Sequence, residues 1–282
     1  MEGGTALSNN SKWLQVLTYV FLSAFALFNI VPLFYMIVDS FKTEPEYAAS
    51  PFSLPTKLHF SNYAKAWDIA NMDTYFLNSL IITFGSLIIT VLLGALTAFF
   101  LARFKFRFRG FAFALFLLGL LVPIHATLIP IFLIMKNIGL LDTYWSLILP
   151  YTAFHLSLTI FILEGFMQGL PKDLEESGVM DGAGIFRIFW SIILPITRPA
   201  MATVIILNFI YNWNEYLFAL VLISSESLKT LPLGLANFVG VETASMTLQM
   251  AALAIALVPI IIFYLLLQKQ LVTGMTAGAV KG

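Results

Sequence analysis

Residues 74–102, TYFLNSLIITFGSLIITVLLGALTAFFLA, contain no aspartate, glutamate, lysine or arginine. A helix needs roughly 20 apolar residues to cross about 30 Å of hydrocarbon, and this stretch exceeds that length. In lipid, every backbone amide and carbonyl must be hydrogen-bonded inside the protein, and a helix satisfies them within the segment. The stretch therefore predicts a membrane-spanning helix.

Five further stretches share this composition. They are Leu14–Val38, Phe111–Met135, Thr143–Leu163, Pro199–Ser225 and Thr243–Gln268. Glu215 is the one formal charge inside any of the six. Over the whole chain 60% of residues are hydrophobic and 11% are charged, whereas soluble domains carry roughly 25% charged residues. The Leu-, Ile- and Phe-rich runs lack the alternation of outer-membrane barrel strands. The sequence therefore predicts an all-α membrane protein with six transmembrane helices.

The distribution of lysine and arginine predicts the orientation. Ten of these residues fall on the side of the two chain ends and five on the other, and four of the ten lie within Arg103–Arg109. Because the cytoplasmic connections of membrane proteins carry an excess of lysine and arginine, both ends are predicted to be cytoplasmic. The first stretch is too long for a cleavable signal peptide and is expected to remain as an anchor. The predicted divisions are a cytoplasmic tail (1–13), the first transmembrane helix (14–38), an extracytoplasmic loop (39–73), a five-helix core (74–268) and a cytoplasmic tail (269–282).

The cytoplasmic connection at residues 167–198 has the pattern of two short helices joined at a glycine. Pro171 suits a first helical turn, and the acidic residues that follow it favour the positive end of a helix dipole. The dipeptide Asp181-Gly182 is typical of a turn. The pattern predicts a helix-turn-helix across the cytoplasmic face, although an ordinary amphipathic linker would also fit.

This connection resembles the cytoplasmic signature of ABC-importer permeases, E-A-A-x3-G-x9-I-x-L-P. The chain has the corresponding residues at the same spacing: Glu176, Ser177, Gly178, Gly182, Ile192, Leu194 and Pro195. The departures from the signature are serine and glycine where the family usually has two alanines. Glycine in this position lowers the helix propensity by about 1 kcal/mol relative to alanine.

Other short strings extend the resemblance to nearly the whole chain. They are Ser40-Phe41-Lys42, Asn78-Ser79, residues 98–103, Asn212-Trp213-Asn214-Glu215 and residues 278–282. In this order they resemble the carbohydrate-uptake permeases of the maltose-transporter type, in particular the six-helix subunit. The resemblance implies the type I ABC importer permease fold in the plasma (inner) membrane of a bacterium or archaeon.

The resemblance also implies a division of labour between subunits. The helix pair would be a coupling helix that docks into a separate ATPase, and the C-terminal tail would reach the same interface. The residues assigned to this contact are Glu176, Asp181, Gly182 and Lys281. Two ATPase copies would bind ATP and Mg and drive this chain and a second permease between inward-facing and outward-facing states, while an extracytoplasmic binding protein would deliver the sugar. The chain lacks the G-x-x-x-x-G-K-[ST] phosphate loop, so we expect no ATPase activity and no cofactor of its own.

One polar stripe is predicted on the fifth spanning helix. Asn208, Tyr211, Asn212 and Glu215 fall at i, i+3, i+4 and i+7 and would share one face. A carboxylate inside the membrane costs on the order of 2–3 kcal/mol and rarely faces lipid. Because amides, phenols and carboxylates hydrogen-bond sugar hydroxyls, the stripe is predicted to line the substrate path. The alternative is interhelical hydrogen bonding against the partner permease.

Two histidines also fall in spanning stretches. His125 and His155 are predicted either to line the path or to hydrogen-bond between helices. Neither is spaced with another histidine or acid as in H-E-x-x-H, so the sequence predicts no metal site, and it offers no catalytic residue. Glu164, near the cytoplasmic end of the fourth stretch, is expected to extend to the membrane interface.

Two other function classes remain open at this point. An intramembrane enzyme would need converging acids or a nucleophile–base pair. A channel or an ATP-independent secondary transporter would be favoured by inverted repeats, and the two halves of the chain show no convincing one. The net charge of zero gives no sign of nucleic-acid binding.

Overall fold

The structure, a computed structural model, describes residues 6–69, 71–238 and 245–279. Within these ranges all regular structure is helical, which confirms the predicted class. The α-helices are α1 (Ala6–Asp39), α2 (Glu44–Ala49), α3 (Ser61–Ile69), α4 (Met72–Arg103), α5 (Arg109–Leu121), α6 (Leu128–Asn137), α7 (Trp145–Gln168), α8 (Asp173–Met180), α9 (Ile185–Ile188), α10 (Leu194–Ile196), α11 (Arg198–Asn214), α12 (Leu217–Leu222), α13 (Leu231–Phe238) and α14 (Met246–Ala279). A π-helical turn, Phe189–Ile193, joins α9 to α10, and 3-10 turns lie at Ile124–Thr127 and Glu226–Leu228.

Four helical segments are long and apolar enough to cross a membrane. They are Lys12–Asp39, Met72–Arg103, Trp145–Gln168 and Met246–Gln268. Two further pairs pass the same test together but are bent: Arg109–Leu121 with Ile124–Asn137 by 93°, and Ile185–Ile196 with Arg198–Asn214 by 76°. The described residues therefore hold four continuous spans, and up to six if each bent pair is one span.

The third predicted stretch is bent at a proline. Pro123 has no N–H group to donate, and it disfavours the helical conformation of the residue before it. Val122 is accordingly extended, with φ −75° and ψ 120°. Helix α5 therefore ends at Leu121, and the chain continues through the 3-10 turn into α6.

The fifth predicted stretch is not one helix, so the prediction of a continuous helix over Pro199–Ser225 is wrong. Helix α11 ends at Asn214, and Glu215 has an extended backbone with φ −69° and ψ 129°. The short helix α12 begins at Leu217. Because the residues on both sides of the break are apolar, hydropathy does not reveal it.

The chain divides into two compact units, Met1–Ile69 with Phe238–Ile255 and Ala70–Asn237 with Ala256–Gly282. In the second unit α4 packs along α7, and α11 contacts both. Ala95 and Ala98 of α4 are buried. Small side chains of this kind let helices approach closely in membranes. These three helices form the frame on which the cavity described below is built.

In the first unit, a buried lysine organises the segment after α1. The Lys42 ammonium pairs with Asp39 Oδ1 at 2.7 Å. It also donates to the carbonyl oxygens of Ser50 and Pro51 at 3.1 and 2.8 Å. A buried ammonium group is tolerated only when it is paired and hydrogen-bonded in this way. This gives the string that begins at Ser40 a structural role in folding the loop.

In the second unit, Asn78 holds the connection between α12 and α13. Its Nδ2 donates to the carbonyl oxygens of Ser227 and Lys229, each at 2.9 Å. Its Oδ1 accepts the Tyr144 hydroxyl at 2.7 Å. This asparagine of α4 therefore anchors a connection about 150 residues later in the chain.

Asp142 fastens the start of the same connection. Its backbone N–H donates to the Leu222 carbonyl at 3.0 Å, and its Oδ1 accepts the N–H groups of Ser224 and Ser225 at 2.9 Å each. The Ser225 hydroxyl, the Ser225 N–H and the Ser224 N–H lower the pKa of the Asp142 carboxyl below its ordinary value. Asp142 has φ 57°, a left-handed conformation that aspartate and asparagine adopt more readily than most residues.

Candidate functional site

Glu215 links the two helices that meet at the break. Its Oε1 accepts the N–H of Phe218 at 2.8 Å, and its Oε2 accepts the N–H of Ala219 at 3.2 Å. The first turn of a helix carries unpaired N–H groups and the positive end of the dipole, so a carboxylate is stabilised there. The Tyr151 hydroxyl donates to Oε2 at 2.5 Å. The carboxylate thus caps α12 and joins it to α7.

A cavity of about 440 Å³, here called the first cavity, lies beside this break. Non-helical backbone at membrane depth is tolerated where it is buried in protein or lines a cavity. The polar and aromatic residues of its wall are His125, Tyr151, Phe154, His155, Tyr211, Asn214, Glu215, Tyr216 and Phe218. Ligand sites typically have about 300–1,000 Å³ and aromatic walls with a few polar groups. The first cavity has both properties.

The predicted stripe on α11 divides between two sides of that helix. Asn208 is fully buried and donates from Nδ2 to Thr159 Oγ1 on α7 at 3.0 Å. Asn212 is buried as well and donates to Ser86 Oγ on α4 at 2.8 Å. These two side chains do not line the first cavity and instead connect α11 to its neighbours.

Four of the predicted path residues do come together. Tyr211 is 56% exposed, and it lines the first cavity together with Glu215, His125 and His155. The rings of His155 and Tyr211 are stacked, with centroids 5.5 Å apart and an interplanar angle of 20°. Within the described ranges, no three side chains of the metal-binding types cluster to hold an ion.

The cytoplasmic segment folds as two helices around a left-handed glycine. Gly182 has φ 76°, a conformation that side-chain-bearing residues rarely adopt. Its N–H donates to the Val179 carbonyl, and the N–H of Ala183 donates to the Gly178 carbonyl, both at 2.9 Å. This pair of bonds is the Schellman motif that ends many helices. The turn after α8 therefore depends on Gly182.

The surface around this turn is exposed and mixed in character. Glu176 and Asp181 are exposed. Next to them, Met180 is 87% exposed and Phe186 is 73% exposed. Apolar side chains exposed beside charged ones are typical of protein–protein contact surfaces. Lys281, assigned to the same contact, lies outside the described residues.

Two arginines attach this segment to the spanning helices. Arg103, at the end of α4, pairs with Glu175 of α8 and donates to the Leu170 carbonyl at 3.2 Å. Arg109 pairs with Glu164 of α7 at 3.1 Å. Glu164 is only 4% exposed, so the expectation that it extends to the interface is wrong. The arginine supplies the countercharge that a buried carboxylate requires.

The comparison with known proteins decides the family. Residues 90–277 match the family model of the binding-protein-dependent transport system inner membrane component. The chain belongs to this family. The predicted ABC-permease identity and the multi-pass location in the inner membrane are therefore confirmed, and the ATPase of such a system is a separate subunit.

The permease resembles several known proteins along nearly its whole length. It is 36% identical over 273 residues to the probable ABC transporter permease protein YurM of Bacillus subtilis (strain 168), covering 96% of this chain and 91% of that protein. It is 35% identical over 275 residues to the diacetylchitobiose uptake system permease protein NgcG of Streptomyces coelicolor, covering 97% and 91%. A bacterial ABC transporter involved in the import of the acidic polysaccharide alginate shares the fold, with TM-score 0.79, 23% identity and coverage of 92% and 97%.

Sequence reasoning about the permease missed Tyr151 and Ser157 on α7. Tyr151 donates to Glu215, and Ser157 lines a second cavity described below. A spacing of four residues places Tyr151 on the same face of α7 as His155, and that spacing is the pattern that identifies it. Ser157 carries no comparable pattern, because it is one of many small hydroxyl residues in the spanning helices.

Proposed function

We propose that this permease forms half of the translocation path of an ATP-driven carbohydrate importer. The observation that carries the proposal is the first cavity, where histidine, tyrosine and glutamate side chains stand among aromatic rings beside a helix break. Aromatic faces pack against the apolar faces of sugar rings, while a few polar groups orient the hydroxyls. The relative named for diacetylchitobiose uptake supports a carbohydrate substrate.

The path residues in this proposal have different roles. Tyr211, His155 and His125 face the substrate, whereas Glu215 mainly holds the wall in place through α12 and Tyr151. The capping contacts leave the carboxylate of Glu215 little free acceptor capacity. Asn208 and Asn212 support the path from behind by fixing α11 against α7 and α4.

In this proposal, the cytoplasmic turn after α8 couples transport to ATP hydrolysis. Glu176 and Asp181 contact a separate ATPase, Gly182 gives the turn its shape, and Met180 and Phe186 supply apolar contact area. Lys281 reaches the same ATPase from the C-terminal tail. This proposal is supported by the exposure of the turn and by the Arg103 pair that fixes α8 to α4.

The complete importer contains this permease, a different second permease, two copies of the ATPase and an extracytoplasmic sugar-binding protein. ATP and Mg bind to the ATPase subunits. Both ends of the chain face the cytoplasm, so the turn after α8 meets the ATPase, and the connection between α12 and α13 faces the binding protein. The cell membrane belongs to a bacterium or an archaeon.

The test is sugar uptake by the purified complex in proteoliposomes with its binding protein. We expect ATP-dependent accumulation of at least one sugar from a panel of mono-, di- and trisaccharides. The permease alone should accumulate none. Uptake by the permease alone and without ATP would support a secondary transporter or channel instead. A complex that hydrolyses ATP but moves only non-carbohydrate solutes would overturn the substrate class.

A further inference from the structure

A second cavity of about 360 Å³ adjoins the first cavity. The two cavities share the lining residues Ile124, Phe154, His155 and Tyr211. The stacked rings of His155 and Tyr211 therefore stand at the boundary between them. Val122, the residue at the proline break between α5 and α6, also lines the second cavity.

Ser157 gives the second cavity a free hydrogen-bonding group. The side chain is only 8% exposed and lines the cavity. Within residues 71–238, no group hydrogen-bonds its hydroxyl. Buried hydroxyls normally have a partner, and a hydroxyl that lacks one in the protein is available to a ligand or to water. Thr127 also lines this wall, but its hydroxyl already donates to the Ile124 carbonyl at 2.6 Å.

Gly119 on α5 leaves the space that the Ser157 hydroxyl occupies. A Cβ atom at position 119 would lie 2.3 Å from Ser157 Oγ and 3.3 Å from Ser157 Cβ. Any larger residue would therefore press on the hydroxyl or displace α5 from α7. The glycine therefore leaves room for a hydroxyl that has no hydrogen-bond partner within residues 71–238.

We propose that the second cavity is a second carbohydrate subsite, which receives the sugar ring adjacent to the one held in the first cavity. The Ser157 hydroxyl hydrogen-bonds this second ring, and the rings of His155 and Tyr211 contact the linkage between the two. This inference rests on the proposed function and deepens it. The permease then favours oligosaccharides of two or more rings over single sugars, because a single ring occupies only one subsite.

The test uses the absence of cysteine from the chain. Ser157→Cys labels the second cavity, Asn214→Cys labels the first, and Ser53→Cys, outside both, is the control. Each variant is assembled with its partners in proteoliposomes and treated with a small neutral thiol reagent. Glucose, maltose, maltotriose and diacetylchitobiose are the probes. At ten times its half-saturating concentration, a transported di- or trisaccharide should slow labelling about tenfold at both cavity positions and not at the control.

The outcomes separate this inference from the proposed function. Protection of Asn214→Cys without protection of Ser157→Cys would overturn the second subsite and leave the carbohydrate path intact. Protection of neither by a sugar that the complex transports would overturn the second subsite and the assignment of the path to the first cavity, while the transport itself would still support a carbohydrate importer. Ser157→Cys that reacts in the isolated permease but never in the assembled importer would show that the partner permease fills the cavity, which also overturns the subsite.

A second measurement does not depend on cysteine. Gly119→Ala should raise the KM for the transported oligosaccharide several-fold with little change in kcat, because the added methyl group presses on Ser157 Oγ. Gly119→Ala combined with Ser157→Ala should relieve the clash but not restore the KM, since the hydroxyl is lost. A KM equal to that of the unmodified permease in Gly119→Ala would contradict the subsite.

Discussion

Tyr151 and Glu215 are 64 residues apart in sequence, and the tyrosine hydroxyl donates to the glutamate carboxylate at 2.5 Å. The same carboxylate accepts the first free N–H groups of α12. Glu215 therefore lies where α11 ends, caps the first turn of α12 and connects both helices to α7 through Tyr151. Both residues of this contact line the first cavity.

We expect Tyr151→Phe to slow transport while leaving the complex assembled. The change removes one hydrogen bond between helices, which is worth ~1 kcal/mol in membranes, and it frees the end of α12 to move. The measurement is the initial uptake rate together with the thermal stability of the complex. Tyr216→Phe is the matched control, since Tyr216 lines the same cavity and its hydroxyl is not hydrogen-bonded within residues 71–238. Equal uptake rates in the two variants would contradict the role of Tyr151.

Substitution of the two buried asparagines should affect stability more than substrate affinity. Asn212→Leu removes the bond to Ser86 and leaves an apolar side chain between helices, at an average cost of about 0.6 kcal/mol per interhelical bond. Tyr211→Leu, one residue away but facing the cavity, should instead raise the KM. The KM and the thermal midpoint of both variants test this division. If Asn212→Leu instead raised the KM and left the stability unchanged, Asn212 would be assigned to the substrate path.

The proposal that the turn after α8 couples transport to ATP hydrolysis gives a prediction about Gly182. A β-branched residue in a left-handed conformation costs roughly 1–2 kcal/mol, so Gly182→Val should distort the turn and uncouple ATP hydrolysis from transport. Gly184→Ala is the matched control, because Gly184 has φ −73° and an added Cβ meets nothing within 4 Å. The number of sugars moved per ATP hydrolysed is the quantity to measure.

A charge reversal tests the docking surface at the same turn. Glu176→Lys should cost within ~0.5 kcal/mol of stability, because the side chain is exposed, yet reduce the association with the ATPase. Asp68→Lys, exposed on α3, is the control for the change in net charge. The measurement is the amount of ATPase that co-purifies with each variant. Normal coupling and normal association in Glu176→Lys would identify the segment as an ordinary solvated linker.

The ion pair between Arg103 and Glu175 should carry motion from α8 to α4. Arg103→Met leaves a largely buried carboxylate unpaired, at a cost on the order of 3 kcal/mol, and should loosen α8. Protease sensitivity of the coupling segment measures this effect. Lys105→Met removes the same charge from an exposed position and should change little. The double variant Arg103→Met/Glu175→Met should regain part of the resistance to protease, since no charge is then left unpaired.

Asp142 predicts an acid sensitivity at the connection between α12 and α13. Hydrogen bonds lower its pKa, so the stability they add is complete above the ordinary carboxyl pKa of about 3.9 and is lost as the pH falls through the lowered value. Asp142→Asn keeps the left-handed backbone favourable but cannot accept the Ser225 hydroxyl on its amide nitrogen. Hydrogen exchange at Ser224 and Ser225, corrected for intrinsic rates, should be faster in this variant at neutral pH. Unchanged exchange would show that the other contacts of the connection, such as those of Asn78 and Ser79, hold it without the Asp142 carboxylate.

The amino-acid sequence by itself determined the membrane class, the approximate spans and the turn at Gly182. Long charge-free stretches can satisfy their backbone groups in lipid only as helices, and this holds whatever they pack against. The turn at Gly182 is likewise local, because its hydrogen bonds all fall within six residues of chain. Pro123 does not by itself locate the bend between α5 and α6, because Pro32, Pro150 and Pro259 lie inside continuous helices.

Only the tertiary structure decided where the fifth stretch breaks and which polar residues meet. The break at Glu215 requires Tyr151 from another helix, and the burial of Glu164 requires Arg109, so neither is encoded in its own segment. Periodicity placed Asn208 and Tyr211 on one stripe, but α11 lies between helices on one side and a cavity on the other. An apolar helix of uniform composition does not specify which of its faces will be covered, because that depends on the neighbours against which it packs.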